Sequence, residues 1–120
     1  MSVDKKVFDI RARTFLFSVR IIKLVDKLPR SISSRAIASQ IVRSGTSVGA
    51  NVEEAQNSSS KKEFIRGLTI ALKESRETEY WLKLIAGVGL VPKGRLKSLL
   101  EENKELIRIL TTIVKNAKKN

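Results

Sequence analysis

Apolar side chains recur along this chain at three- and four-residue intervals, in four blocks separated by short polar or Pro/Gly segments. That is the period of one face of a helix, and no block keeps the two-residue alternation of a half-buried strand. The spacing predicts helices over about 4–28, 34–56, 61–86 and 93–118, within one domain spanning 1–120. In the second block Ile37, Ile41, Val48, Val52 and Ala55 share a face, with Ser44 or Gly45 filling the gap. Ala38, Gly45 and Gly49 run beside that stripe. Two glycines inside a helix each cost roughly 1 kcal/mol relative to Ala, which points to close approach by another backbone. Ser44 to Ser47 is also turn composition, but the apolar phase persists across it, so a continuous helix is expected.

The first block carries two seams. Phe8, Ala12, Phe15, Val19 and Ile22 form one; Ile10, Phe17, Ile21, Leu24 and Leu28 form the other. Residues 15 and 17 lie about 200° apart on a helical wheel, so the seams face nearly opposite ways. One bundle core takes one seam, and the other needs a second partner, most simply another copy of the chain. The expected assignment puts Phe15 and Val19 in the core. It gives Phe17, Ile21 and Leu24 to an oligomer interface, together with Trp81 of the third block. Arg13, Arg20 and Lys27, seven residues apart, mark the wet strip between the seams.

Boundaries are legible elsewhere. Pro29 ends the first helix, and Ser33 or Ser34 is the expected N-cap of the second. Asn57 to Ser60 is a polar turn, and Ser60-Lys61-Lys62-Glu63 reads as a capping box. The third block has a core stripe of Phe64, Leu68, Ala71, Ser75, Thr78, Leu82 and Ile85, and a flanking stripe of Ile70, Trp81, Leu84 and Val88. Gly87, Gly89, Pro92 and Gly94 mark the last turn. The fourth block keeps its phase from Leu96 to Ala117, with Asn103 on the apolar stripe. A buried amide there needs a partner, and Ser75 or Asn51 would supply it. Four helices joined by short turns give an all-α, antiparallel up-down-up-down bundle, which the spare seam extends to a homo-oligomer.

Charge adds a partner class. The net charge is +12, with +6 over residues 1–35, −1 over 36–60, +2 over 61–90 and +5 over 91–120. Antiparallel order sets the fourth helix beside the first, so the two basic quarters become neighbours. An excess of this size favours a polyanion through counterion release. The expected phosphate contacts are Arg11, Arg13, Arg20, Lys23 and Lys27, then Lys97, Lys104, Arg108 and Lys115. Aromatic residues make up only 5% of the chain, which argues against base stacking and for structured RNA or an RNA–DNA hybrid held without sequence preference. The competing reading is an oligomeric scaffold for a protein partner, its charge serving solubility or steering.

An enzyme is not expected. The chain has no cysteine and no histidine, so thiolate and imidazole chemistry and the usual zinc ligands are excluded. The carboxylates at Glu74, Glu77 and Glu79 lack the Glu-x-x-His pattern of carboxylate-bridged metal bundles, so neither metal nor cofactor is expected. No Gly-rich phosphate loop or nucleophile–base constellation appears. The first fifteen residues carry early acids and no apolar run, unlike a signal peptide. No stretch approaches the roughly 18 apolar residues of a membrane span. A cytoplasmic location away from membranes is the corresponding expectation.

RSGTSVGANVEEAQ at 43–56, followed by KKEFIRGLTIALKESRETEYWLKL at 61–84, resembles the four-helix-bundle protein family of bacterial 23S rRNA intervening sequences. The matching positions are Ser47, Asn51, Glu54, Ser59, Glu63 and Phe64; Ala55 stands where many members have Gly. The resemblance implies a homopentameric barrel of bundles. It extends to the accessory variability protein of diversity-generating retroelements, which binds nucleic acid together with a reverse transcriptase. By the same resemblance, the scaffold's protein partner would be such a reverse transcriptase. The family offers no catalytic residue to carry over.

Overall fold

The structure, a computed structural model, describes residues 2–119, with side chains from Ile10 onward. Four helices fill it: α1 (Ser2–Val25), α2 (Ile32–Gln56), α3 (Lys61–Val88) and α4 (Lys93–Lys119). Cross-helix pairs fix the topology. Ile21 meets Gly45 and Thr14 meets Gly49; Ala55 meets Gly67 while Ser44 meets Thr78; Arg13 meets Glu102 and Arg20 meets Ser98. In each set one number rises as the other falls, so neighbouring helices are antiparallel. The backbones run close along α1–α2, α2–α3, α3–α4 and α4–α1, and no diagonal pair of helices brings Cα atoms within 8 Å among the described residues. Helices of 24 to 28 residues are rods of about 36–42 Å at 1.5 Å per residue, which suits a body of 47 × 23 × 19 Å.

Local chemistry sets the ends. Ser60 caps α3, its hydroxyl accepting from the Glu63 N–H at 3.1 Å. At the other end Gly89, at φ 80°, adopts the left-handed conformation and donates its N–H to Ile85 O and Ala86 O, so α3 runs on to Val88. The cap of α2 is Ser31, not Ser33 or Ser34: Ser31 is extended and its hydroxyl accepts from Ser34 N at 3.2 Å, which draws both later serines into the first turn. α1 stops at Val25 rather than Leu28. Lys27 N bonds to Leu24 O and Leu28 N to Val25 O, so a tightened turn carries Leu28 into the core.

α1 and α2 approach each other closely at two glycines of α2. A Cβ on Gly49 would lie 3.1 Å from the Thr14 carbonyl oxygen, and one on Gly45 would lie 2.9 Å from Ile21 Cγ1. At Gly49 the neighbour is backbone, as the sequence implied; at Gly45 it is a buried side chain.

The two seams of α1 are placed the other way round from the sequence expectation. Phe17, Ile21 and Leu24 lie in the core with Ile10 and Leu28, and are not interface residues. Phe15 is 67% exposed and Ile22 45%, against 1% for Phe17. Phe8 lies outside the described side chains. The physical reason lies in how each seam continues. Ile10, Thr14, Phe17, Ile21, Leu24 and Leu28 step by four and three without interruption, and the Thr14 hydroxyl is satisfied by Ile10 O at 2.7 Å. The other seam continues from Ile22 to Asp26, a charge that a core would have to desolvate.

The core also holds a polar layer. Thr78 donates to Ser44 Oγ at 2.9 Å across α2–α3, and Asn103 Nδ2 donates to the Ser75 carbonyl at 2.9 Å across α3–α4. Asn103 is fully buried and its Oδ1 has no partner. The amide therefore costs some stability while fixing the register of α4 against α3.

Gly45→Ala should destabilise the fold by about 1–3 kcal/mol despite its better helix propensity, because Ile21 is locked in the core. Gly87→Ala, with no atom near its Cβ, should be neutral or stabilise by up to about 1 kcal/mol. Urea unfolding followed by circular dichroism gives both signs. By the same assay Phe17→Glu should abolish the cooperative transition, whereas Phe15→Glu should leave it intact.

Candidate nucleic-acid interface

Burying the Phe17 seam aims the cations of α1 in two directions. Arg11 leaves on the α2 side and grips Glu53 through both ends of its guanidinium. Arg13 leaves on the α4 side and binds Glu102 in the same two-pronged way, at 3.0 and 2.7 Å. Two turns further on, Arg20 Nη2 donates to Ser98 Oγ at 2.8 Å. On α4, Arg108 grips Glu105 at 2.5 Å. That guanidinium holds the Glu105 carboxyl below its ordinary range, chiefly by the hydrogen bond, and Glu105 in turn raises Arg108.

Three of the nine residues expected to bind phosphate, Arg11, Arg13 and Arg108, are therefore engaged by carboxylates. Lys23, Lys27, Lys97, Lys104 and Lys115 make no ion pair among the described residues.

The remaining cations fall into separate places rather than one pool. Arg20 and Lys23 from α1 and Lys27 from the turn after it meet Arg95 from α4 around a groove of about 320 Å³, floored by Leu24, Val91 and Leu99. No acidic residue lines it. Four positive groups facing one cleft without a counter-charge raise the local anion concentration. Lys97 and Lys104 turn instead to the α3–α4 side. There, with Lys93 and Glu101, they rim a groove of about 440 Å³ over Ala86, Leu96 and Leu100. Lys115 is exposed near the far end of α4. Trp81 is half-buried on α3, its Nε1 donating to Glu77 Oε2 at 3.1 Å and its ring meeting Tyr80 edge-on at 5.1 Å. Among the described residues no group of three acidic, histidine or cysteine side chains is placed to hold a metal, and no helix is long and apolar enough to cross a membrane.

The family model of the 23S rRNA-intervening sequence proteins matches residues 6–112. The chain belongs to that family. A solved structure of similar fold comes from Bacteroides thetaiotaomicron, a protein of unknown function from the S23 ribosomal protein family. It is 36% identical, aligns over 92% of this chain and 98% of its own, and has a TM-score of 0.86. No curated protein matches the chain.

In the groove between α1 and α4 the cation that the sequence did not single out is Arg95. Its signal was present: Val91, just before α4, and Arg95 and Leu99 within it step by four, so Arg95 stands between two core-edge residues on the α1 side. Lys97 belongs to the opposite flank, two residues round the helix.

Proposed function

We propose that this family member is a non-enzymatic, homo-oligomeric bundle, pentameric as the family resemblance implies. It binds structured RNA or an RNA–DNA hybrid through phosphates, with little base reading. The observation that carries the reading is the acid-free groove lined by Arg20, Lys23, Lys27 and Arg95, on a chain of net charge +12. The exposed pairs at Arg11 and Arg108 are compatible with it. Solvent screens such exposed pairs, so a phosphate competes for either guanidinium. Side chains that carry a point charge or a fork, without aromatic platforms beside them, position a backbone and do not read sequence.

A second reading, an oligomeric scaffold for a protein partner such as a reverse transcriptase, draws on the apolar floor of Ala86, Leu96 and Leu100 between α3 and α4. Recovery of a partner from the native host after nuclease treatment, with no nucleic acid in the complex, favours it over the first.

Titration of labelled structured RNA should show affinity falling steeply from roughly 50 to 200 mM salt. Replacing Arg20, Lys23, Lys27 and Arg95 together with Ala should weaken binding at least about tenfold. The log–log salt slope should then shrink by about one for each phosphate that the variant no longer neutralises. Absence of binding at low salt, or affinity indifferent to salt, contradicts the proposal.

A further inference from the structure

The groove between α1 and α4 concentrates more charge than a nucleic-acid backbone calls for. Arg20, Lys23, Lys27 and Arg95 line it, and none of the four is in an ion pair among the described residues. The nearby acids are turned elsewhere. Asp26 lines a cleft on the α2 side with Arg30 and Arg35. Glu101 rims the α3–α4 groove, and Glu102 is held by Arg13. Arg20 is half-buried, and Ser98 Oγ accepts from its guanidinium at 2.8 Å, a neutral partner that steadies the group without cancelling its charge. Lys23, Lys27 and Arg95 are exposed, so their charged ends can close on a ligand.

Arg20 and Lys27 lie within two helical turns of each other, roughly 10 Å. Over that span a polynucleotide strand presents phosphodiesters of single charge, each separated from the next by a sugar. A terminal triphosphate presents about four charges on directly linked phosphoryl groups, about two of them on the last. The four cations match the second pattern in number and in spread. The floor agrees with it. Leu24, Val91 and Leu99 bring neither a polar side chain nor an aromatic ring, so nothing there reads or stacks a base. The α3–α4 groove differs in both respects that matter, having an acid in its rim and no arginine.

The geometry points to an oligophosphate site: the α1–α4 groove takes a linear chain of linked phosphates in preference to an internal stretch of backbone. Arg20 and Arg95 supply the forked donors for phosphoryl oxygens, and Lys23 and Lys27 supply point charges along the chain. This deepens the phosphate reading proposed above for the same groove and rests on it. The chemistry is shared by the 5′-triphosphate end of an RNA and by free oligophosphates, and the test has an arm for each.

Calorimetric titration of the full chain with inorganic tripolyphosphate, and with orthophosphate for comparison, tests the site. Without divalent cations, tripolyphosphate should bind at least about tenfold more tightly than orthophosphate. Lys23→Ala with Arg95→Ala should weaken it at least about tenfold again. Lys61→Ala with Lys62→Ala removes the same charge from exposed positions at the start of α3, at the opposite end of the bundle, and should change the affinity less than about twofold. Hairpin RNA of one sequence, carrying either a 5′-triphosphate or a 5′-hydroxyl, identifies the source. A clear preference for the triphosphate, lost in Lys23→Ala with Arg95→Ala, assigns the site to RNA ends. Equal affinity for the two hairpins, with tripolyphosphate still bound in the groove, assigns it to free oligophosphates. Tripolyphosphate bound no more tightly than orthophosphate, or weakened equally by both double variants, overturns the oligophosphate site. If Lys23→Ala with Arg95→Ala then still weakens both hairpins alike, the groove remains a phosphate surface. If neither hairpin nor tripolyphosphate binds, that reading falls as well.

Discussion

The rotation of α1 about its own axis depends on the small-residue face of α2. Ile21 settles over Gly45 and the Thr14 carbonyl over Gly49, at distances that would crowd a methyl group on either glycine. Only one orientation of α1 satisfies both contacts. It turns Ile10, Phe17, Leu24 and Leu28 inward. Two glycines in the middle of a 25-residue helix cost roughly 2 kcal/mol in propensity. Burial of the large side chains that the notch admits, at about 1.5–3 kcal/mol each, more than offsets that cost.

Everything on the outside of α1 follows from that rotation. Arg11 is carried to Glu53 on α2; Arg13, Arg20 and Lys27 are carried toward α4. Where α4 supplies Glu102 the charge is matched, and where it supplies Arg95 the charge accumulates. The same turn leaves Phe15, Leu16 and Ile22 in water. A contiguous apolar stripe of this kind marks an interaction surface in a folded protein. Lys23 stands between stripe and groove, so the apolar stripe adjoins the surface proposed for phosphate.

Most of the architecture is written in local residues. The stripe Leu68, Ala71, Ser75, Thr78, Leu82 and Ile85 is buried as its spacing implies, with Phe64 at its start half-buried, and its polar members are satisfied, Ser75 by the Ala71 carbonyl of its own helix and Thr78 by Ser44. Asn103 finds Ser75, though through the backbone carbonyl and not the side chain. The continuity of α2 through Ser44–Gly49 was legible from phase alone. The choice between two seams on α1 was not, because both repeat by threes and fours and each carries two large apolar residues or more. What separates them is Asp26 at the end of one and Thr14 hidden in the other. Likewise a count of cations along a helix says how many there are. It does not say which groove each lines, which is why Arg95 joins α1's cations and Lys97 does not.

A bundle built this way has its inner seam fixed by α2 and its outer seam exposed. Carbene footprinting of α1 over a dilution series, read by mass spectrometry at single-residue level, tests that division most directly. Phe17 and Ile21 should stay unlabelled at every concentration, while labelling of Phe15, Leu16 and Ile22 should be low in concentrated protein and rise on dilution. Labelling of Phe17 together with Phe15, or an outer seam labelled equally at all concentrations, would contradict the account.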